Sequence, residues 1–355
     1  MKLRDTYVQA LGVYLPEVMS TRRAVDLGLY EEEELLNIGI TGVLVAPEDL
    51  GGVDMSVLAA RDALSRAGVV PSTVDLAVHA GVFWQGPEGW TPTGYVLREL
   101  GCPDVPGFEV RQGCNGVLAA LELAVGQFAL DPTRSTALLT TGQTFNSPVI
   151  DRWHAGGSGV LMSDAACAVV LSTRAGFARV QALNSTLVPE LEGMYRGAES
   201  LLEPRTPVRP MVDLGARMVD FARLSDYPFT ELAARVIKAH GEVIAQTLAE
   251  AGLDLTDLAR VLHVNIPHVA EMFVMSPLGL DMKLSTMDFG RTVGHLSACD
   301  QVASLHHLLT TGQLRAGDHV LVTGTAPGFS VAAAVLTIDE VPAWARSGDG
   351  ASIAA

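Results

Sequence analysis

Four side chains in this 355-residue sequence have the types and surroundings to act together: Cys114, His268, His295 and Asp300. Cys114 lies in FEVRQGCNGVLAALELAV (108–125), which reads as a short apolar strand, a tight turn carrying Gly113 and Gly116, and a helix of Leu and Ala. A thiol at such an elbow sits against unpaired N–H groups and the positive end of the helix dipole, where it is readily made nucleophilic. Read alone, the same cysteine is equally a small residue filling space in a core. Activating it takes an imidazole within hydrogen-bonding reach and a third group orienting that imidazole. NIPH (265–268) and GHLSACD (294–300) supply His268, His295 and Asp300. Both segments fall at strand ends, where open α/β sheets bind ligands. Taken singly, His268 reads as a helix cap, His295 as a turn residue and Asp300 as a solvated helix residue.

The elements that must position these groups alternate between α and β. Strands are expected at Tyr7–Leu15, Val74–Ala80, Phe108–Val110 and Ser135–Thr140, with helices at Met55–Ala67 and Trp90–Leu100. Gly159–Ser172 reads as a hairpin-like pair of apolar runs. In the second half the patterns predict a helix over Phe229–Ala251, a strand at Arg260–Asn265, a turn at Asp288–His295, a helix over Ala298–Leu309, and strands at Val320–Thr323 and Ser330–Ile338. This alternation argues for a mostly parallel, buried sheet. A helix followed by a strand, AxxALxxAG then VDLAVHA, is echoed by QTLAEAGL then ARVLHVN, which suggests duplicated halves at 1–175 and 176–355. Residues 184–230, with five prolines, read as irregular, either a lid or channel wall or a surface excursion. Trp84, Trp90 and Trp153 are candidates to wall an entrance beside it.

Composition narrows the partners. With 24 Lys and Arg against 40 Asp and Glu, the net charge of -16 disfavours nucleic acid and anionic membrane surfaces. An anionic carrier would have to meet a local basic patch, for which Arg22, Arg23, Arg111, Arg152, Arg205 and Arg209 are available. The four cysteines lie far apart, with no spacing suited to zinc, so no metal is expected. The N-terminus lacks the pattern of a secretory signal, and a reducing cytoplasm is the expected compartment.

GVYLP, AARDALSRAG to VDLAVHA, GFEVRQGCNGVLAALELA, VLMSDAACAVVL, NIPH, GHLSACD and PGFSVAAAVL follow one another in register along the chain. In this the sequence resembles the ketoacyl-acyl-carrier-protein synthase III enzymes of the thiolase superfamily. The resemblance implies a five-layered αβαβα thiolase fold from two duplicated halves, a homodimer, and an acyl group carried on Cys114. It further implies acyl-CoA or acyl-carrier-protein thioesters as substrates, with no permanently bound cofactor. His268 matches the first family histidine, and the N–H groups of Cys114 and Gly328 match the oxyanion donors. The departures matter as much. GHLSACD replaces the family's GNTSAAS, so His295 stands where condensing members carry asparagine and Asp300 replaces a serine. HVAE replaces HQAN, MSDAACA replaces FGDGAGA, and APGF replaces GGGF. An imidazole oriented by Asp300 serves as base for a hydroxyl, amine or thiol rather than for carbon–carbon bond formation. The resemblance is therefore to the acyl-transferring branch found in antibiotic and polyketide pathways, with a small-molecule hydroxyl as acceptor. Decarboxylative condensation with malonyl-carrier protein and a silent partner subunit of a synthase are the alternatives.

Overall fold

The structure is a computed structural model and describes residues 1–157, 159–202 and 211–346. Its first half contains strands β1 (Tyr7–Tyr14), β2 (Glu17–Ser20), β3 (Gly42–Val45), β4 (Leu76–Ala80), β5 (Gly107–Val110), β6 (Thr136–Gln143) and β7 (Ala165–Ser172). Helices α1 (Thr21–Asp26), α2 (Glu32–Ile38), α3 (Gly52–Ala67), α4 (Pro92–Leu100) and α5 (Gly116–Leu130) are interspersed among them. The second half has β8 (Ala178–Leu187), β9 (Leu258–Leu262), β10 (His319–Ala326) and β11 (Ser330–Ile338). Its helices are α6 (Leu214–Leu224), α7 (Phe229–Ala251), α8 (His268–Met275), α9 (Met287–Val293), α10 (Asp300–Thr310) and α11 (Ala343–Arg346).

Nine strands hydrogen-bond in the order β5-β4-β6-β7-β1-β8-β11-β10-β9, while β2 and β3 form a separate ribbon. Read outward from its centre, the order repeats. β1, β7, β6 and β4 on one side answer to β8, β11, β10 and β9 on the other, and the innermost parallel pairs, β4 with β6 and β9 with β10, correspond. Tyr7–Arg179 and Val8–Ala178 pair β1 with β8 across the middle, and Lys2 bridges to Ala182 beside them. Helices α5 and α10 pack between the two half-sheets: Leu118, Leu121, Val302 and Leu305 share one core with Leu139 and Leu171 from one half and Val322 and Leu336 from the other. Helix α3 covers the outer face of the first half-sheet and α7 that of the second. These are the five layers. Gly113–Leu130 is long and apolar enough to span a membrane by composition, yet it is this shared middle layer.

The sheet is not mostly parallel: β1 with β7, β1 with β8, β6 with β7, β8 with β11 and β10 with β11 are antiparallel, because short connections join neighbours such as β10 and β11 directly. Three local expectations fail as well. Residues 159–172 are not a hairpin, because only β7 forms a strand and Met162 makes a single parallel bridge to His295. Residues 287–293 are a helix rather than a turn. The 184–230 stretch holds the end of β8, a 3-10 turn at Pro189–Tyr195 and α6; its residues 203–210, with Arg205 and Arg209, lie outside those described.

The layers approach closely at Gly12, where a Cβ would lie 2.1 Å from the Ala59 carbonyl oxygen of α3. Gly12→Ala must push α3 off β1, and is expected to cost about 1–3 kcal/mol of stability by urea denaturation.

Candidate active site

Cys114 is the middle residue of a 3-10 turn, Gly113–Asn115, that feeds directly into α5. Gly113 makes this turn possible: its φ is +53°, and a Cβ there would sit 2.6 Å from Pro327 Cδ. The elbow therefore abuts the Pro327–Gly328 turn between β10 and β11. Asn115, fully buried, ties it down by donating to the Ser330 hydroxyl at 3.2 Å. The α10 N-terminus is built in the same way. Ser297–Cys299 form a 3-10 turn leading into α10, and Ser297 takes φ +56°, in the left-handed region that Gly113 uses.

The two helix starts bring three of the four predicted groups into line. Cys114 Sγ lies 3.1 Å from His295 Nε2, and His295 Nδ1 lies 2.6 Å from Asp300 Oδ2. Asp300 has no exposed surface, and its carboxylate accepts two further bonds, from the backbone N–H of Asn265 at 2.9 Å and of Leu296 at 2.7 Å. A carboxylate only accepts, so Nδ1 carries the proton and Nε2 is left to exchange one with the sulfur. Burial alone would lower the His295 pKa. The Asp300 carboxylate and the Cys114 sulfur overturn that effect and raise it well above 6.5. His263, at the end of β9, is held by burial at about 4 and stays neutral.

His268 is not part of this line. It is exposed at the start of α8, with Nδ1 2.8 Å from the Met287 sulfur, and it bonds to none of the other three among the described residues. Trp153 is buried against Tyr30 with ring centroids 5.7 Å apart, so it belongs to a small core and not to an entrance; Trp84 and Trp90 are exposed. Arg152 is buried in an ion pair with Asp164 and cannot meet a carrier. Two contributors escaped the sequence reading. Asn265 orders the site with its backbone N–H and with an amide that donates to the Gly294 carbonyl at 2.9 Å. Tyr195 stacks on Phe329 at 6.5 Å beside the Gly328 turn, and burial and the nearby Cys114 push its pKa up. The Pro189–Tyr195 turn thus packs against the site, and no pattern in its sequence announced it.

The family description 3-oxoacyl-[acyl-carrier-protein (ACP)] synthase III matches residues 108–187, and its C-terminal counterpart matches 248–338. A solved acyltransferase, ChlB3, is 39% identical, with 96% of this chain and 99% of that one covered and a TM-score of 0.89. The β-ketoacyl-[acyl-carrier-protein] synthase III 3 of Streptomyces coelicolor is 28% identical, over 94% of this chain and 97% of the relative. The corresponding synthase III of Symbiobacterium thermophilum is 25% identical, over 93% and 97%. A 3-oxoacyl synthase III structure from Aquifex aeolicus, 19% identical with a TM-score of 0.75, shares the fold over 94% of this chain and 99% of its own. The chain belongs to the ketoacyl synthase III-like family of the thiolase superfamily.

Glu271, three residues after His268, is only 4% exposed, and burial raises its pKa to about 7 against the pull of Ser285. The folded state therefore binds this proton more tightly than the unfolded chain, and stability is lost as pH rises from about 4.5 through about 7. Glu271→Gln is expected to be more stable than the native protein at pH 8 by about 1–3 kcal/mol. The difference should vanish below pH 4.5 in denaturation curves.

Proposed function

We propose that the protein is an acyltransferase working by ping-pong chemistry through an acyl thioester on Cys114. The acyl group comes from a coenzyme A or acyl-carrier-protein thioester and passes to a hydroxyl on a natural-product or sugar acceptor. The alignment of Cys114, His295 and Asp300, 3.1 Å and then 2.6 Å apart, carries this reading. It places an oriented, proton-accepting imidazole where an amide would serve a condensing enzyme only as a donor.

In the first half-reaction the Cys114 sulfur attacks the donor carbonyl while its proton resides on His295 Nε2. The N–H groups of Cys114 and Gly328 receive the developing oxyanion. Collapse expels the donor thiolate, which leaves with the proton from His295. In the second half-reaction neutral His295 takes the acceptor hydroxyl proton as the oxygen attacks the acyl carbon. The intermediate then releases the Cys114 sulfur, and His295 returns the proton to it. Asp300 keeps the ring aimed and balances its charge in both steps. His268, exposed at the start of α8, is assigned to assisting the first transfer or positioning the thioester carbonyl of the donor. The 1–175 half thus supplies the nucleophile and the 176–355 half the base. The free edge of β5, where Phe108 is 37% exposed, is the surface on which a second copy would pair to form the homodimer. With four free thiols, the reducing cytoplasm is the fitting compartment.

The name of the ChlB3 structure supports acyl transfer, whereas those of the curated synthases favour decarboxylative condensation of an acyl starter with malonyl-carrier protein. Carbon dioxide release from a malonyl thioester separates the two. Intact-protein mass spectrometry after exposure to a panel of acyl thioesters should show one acyl mass on Cys114 and a stoichiometric burst of free thiol. A Cys114→Ala variant transferring acyl groups at the native rate would sink the mechanism. Asp300→Asn is expected to keep the fold and slow acyl transfer about 10²- to 10⁴-fold in steady-state assays, because the amide no longer fixes the tautomer or balances the imidazolium.

A further inference from the structure

The backbone of His295 is held from one side by a short non-strand segment that leans on Leu44 of β3. His295 N–H donates to the Leu161 carbonyl at 2.8 Å, and its own carbonyl accepts from Ser163 N–H at 2.9 Å. The Ser163 hydroxyl reaches back to the Val293 carbonyl and accepts from Leu44 N–H at 3.0 Å. Immediately after it comes Asp164, which has no exposed surface. Its carboxylate accepts from Ala46 N–H at 2.8 Å and Phe145 N–H at 2.7 Å, and pairs with Arg152 Nη2 at 3.0 Å. The Arg152 guanidinium is itself buried, and it also donates to the Leu44 carbonyl at 3.0 Å and to Asn146 Oδ1 at 2.8 Å.

We propose that the buried Arg152–Asp164 pair is the positioning device for the catalytic imidazole, acting through the backbone of Leu161–Ser163 and not through any contact with the ring. The pair fastens the ends of β3 and β6 to one carboxylate, and the segment it anchors forms one wall of the His295 turn. Neither charge can be solvated where it lies, so each holds the other and the loops they bond in a single arrangement. Losing either partner frees 161–163, and the ring moves with the backbone. A displacement of about 1 Å is enough to cost about a hundredfold in rate. Arg152 and Asp164 are therefore positioning residues.

The inference rests on His295 being the proton-carrying partner of Cys114, and its test needs no acyl donor. The rate of Cys114 carboxymethylation by iodoacetate is measured against pH in the full chain. This anionic reagent is favoured while the imidazole is protonated, so the alkaline fall of the rate marks the His295 titration. The groups facing that ring are Asp300 from α10, Cys114 from the elbow, and His263 after β9. In the native protein the fall is expected well above pH 6.5. In Asp164→Asn it should move down toward 6.5, with the rate at pH 7 reduced about tenfold to a hundredfold. Arg152→Lys, which keeps the charge but not the two-armed donor, should fall between. Should Asp164→Asn fail to fold, Arg152→Lys and Ser163→Ala are expected to move the fall in the same direction by a smaller amount. Variants that melt earlier yet keep the native profile would overturn the proposal, reducing the pair to a structural one. A native fall already at 6.5 would overturn both this inference and the role of His295.

Discussion

A carboxylate with no access to water has to find all its hydrogen bonds inside the protein, and the Asp300 side chain sets this requirement at the centre of the site. Its oxygens take three donors: the imidazole at 295 and the backbone N–H at 296, both just before it in the chain, and the distant backbone N–H at 265 after β9. Satisfying them fixes the start of α10 against the end of β9. It also leaves the second nitrogen of the ring facing the Cys114 sulfur. The geometry of the Cys114–His295 pair is thus a by-product of satisfying one buried charge. The start of α10 adds to the effect, since an anion in the first turn of a helix is favoured by the exposed N–H groups there.

Much of this was written plainly in the chain. The elbow around Cys114 was legible because a turn glycine, a thiol and an apolar helix follow a strand without interruption. His295 and Asp300 were legible because GHLSACD departs from its family pattern at those two positions. What stayed hidden has physical reasons. Asn265 acts partly through its backbone N–H, which no residue letter encodes. Helix α9 was read as a turn because Asp288, Gly290 and Thr292 are poor helix signals. Gly290 is there because a Cβ would lie 2.8 Å from the Asn265 side chain, a tertiary contact outweighing local propensity. Residues 159–164 looked like a strand from their apolar content, but they make a single-residue bridge to His295 and isolated bonds to Leu44, with no continuous ladder among the described residues. His268 was grouped with the others by its place at a strand end and by its match to the family's first histidine, neither of which says which way a side chain at a helix start will turn.

The repeated strand order shows why the reacting groups come from distant stretches. Helices α5 and α10 occupy equivalent places between the half-sheets, each preceded by a 3-10 turn whose first residue is left-handed. One start carries the thiol, the other the carboxylate. A duplicated scaffold thus offers two similar corners facing each other, and different side chains at equivalent corners make a composite site. The left-handed Ser297 keeps the geometry that glycine provides at 113, so both corners hold the same shape despite their different sequences.

That pairing of corners has an electrical side. Each helix start concentrates roughly half a positive charge in its unbonded N–H groups, and here two such starts point into one small volume. The protein around them carries a net charge of -16. The start of α10 carries the buried Asp300 carboxylate and the turn before α5 carries the Cys114 sulfur, so an acidic group sits at each start and no lysine or arginine pairs with Asp300 among the described residues. The two helix dipoles lie inside the protein, where salt in the surrounding solvent screens them far less than it screens surface ions.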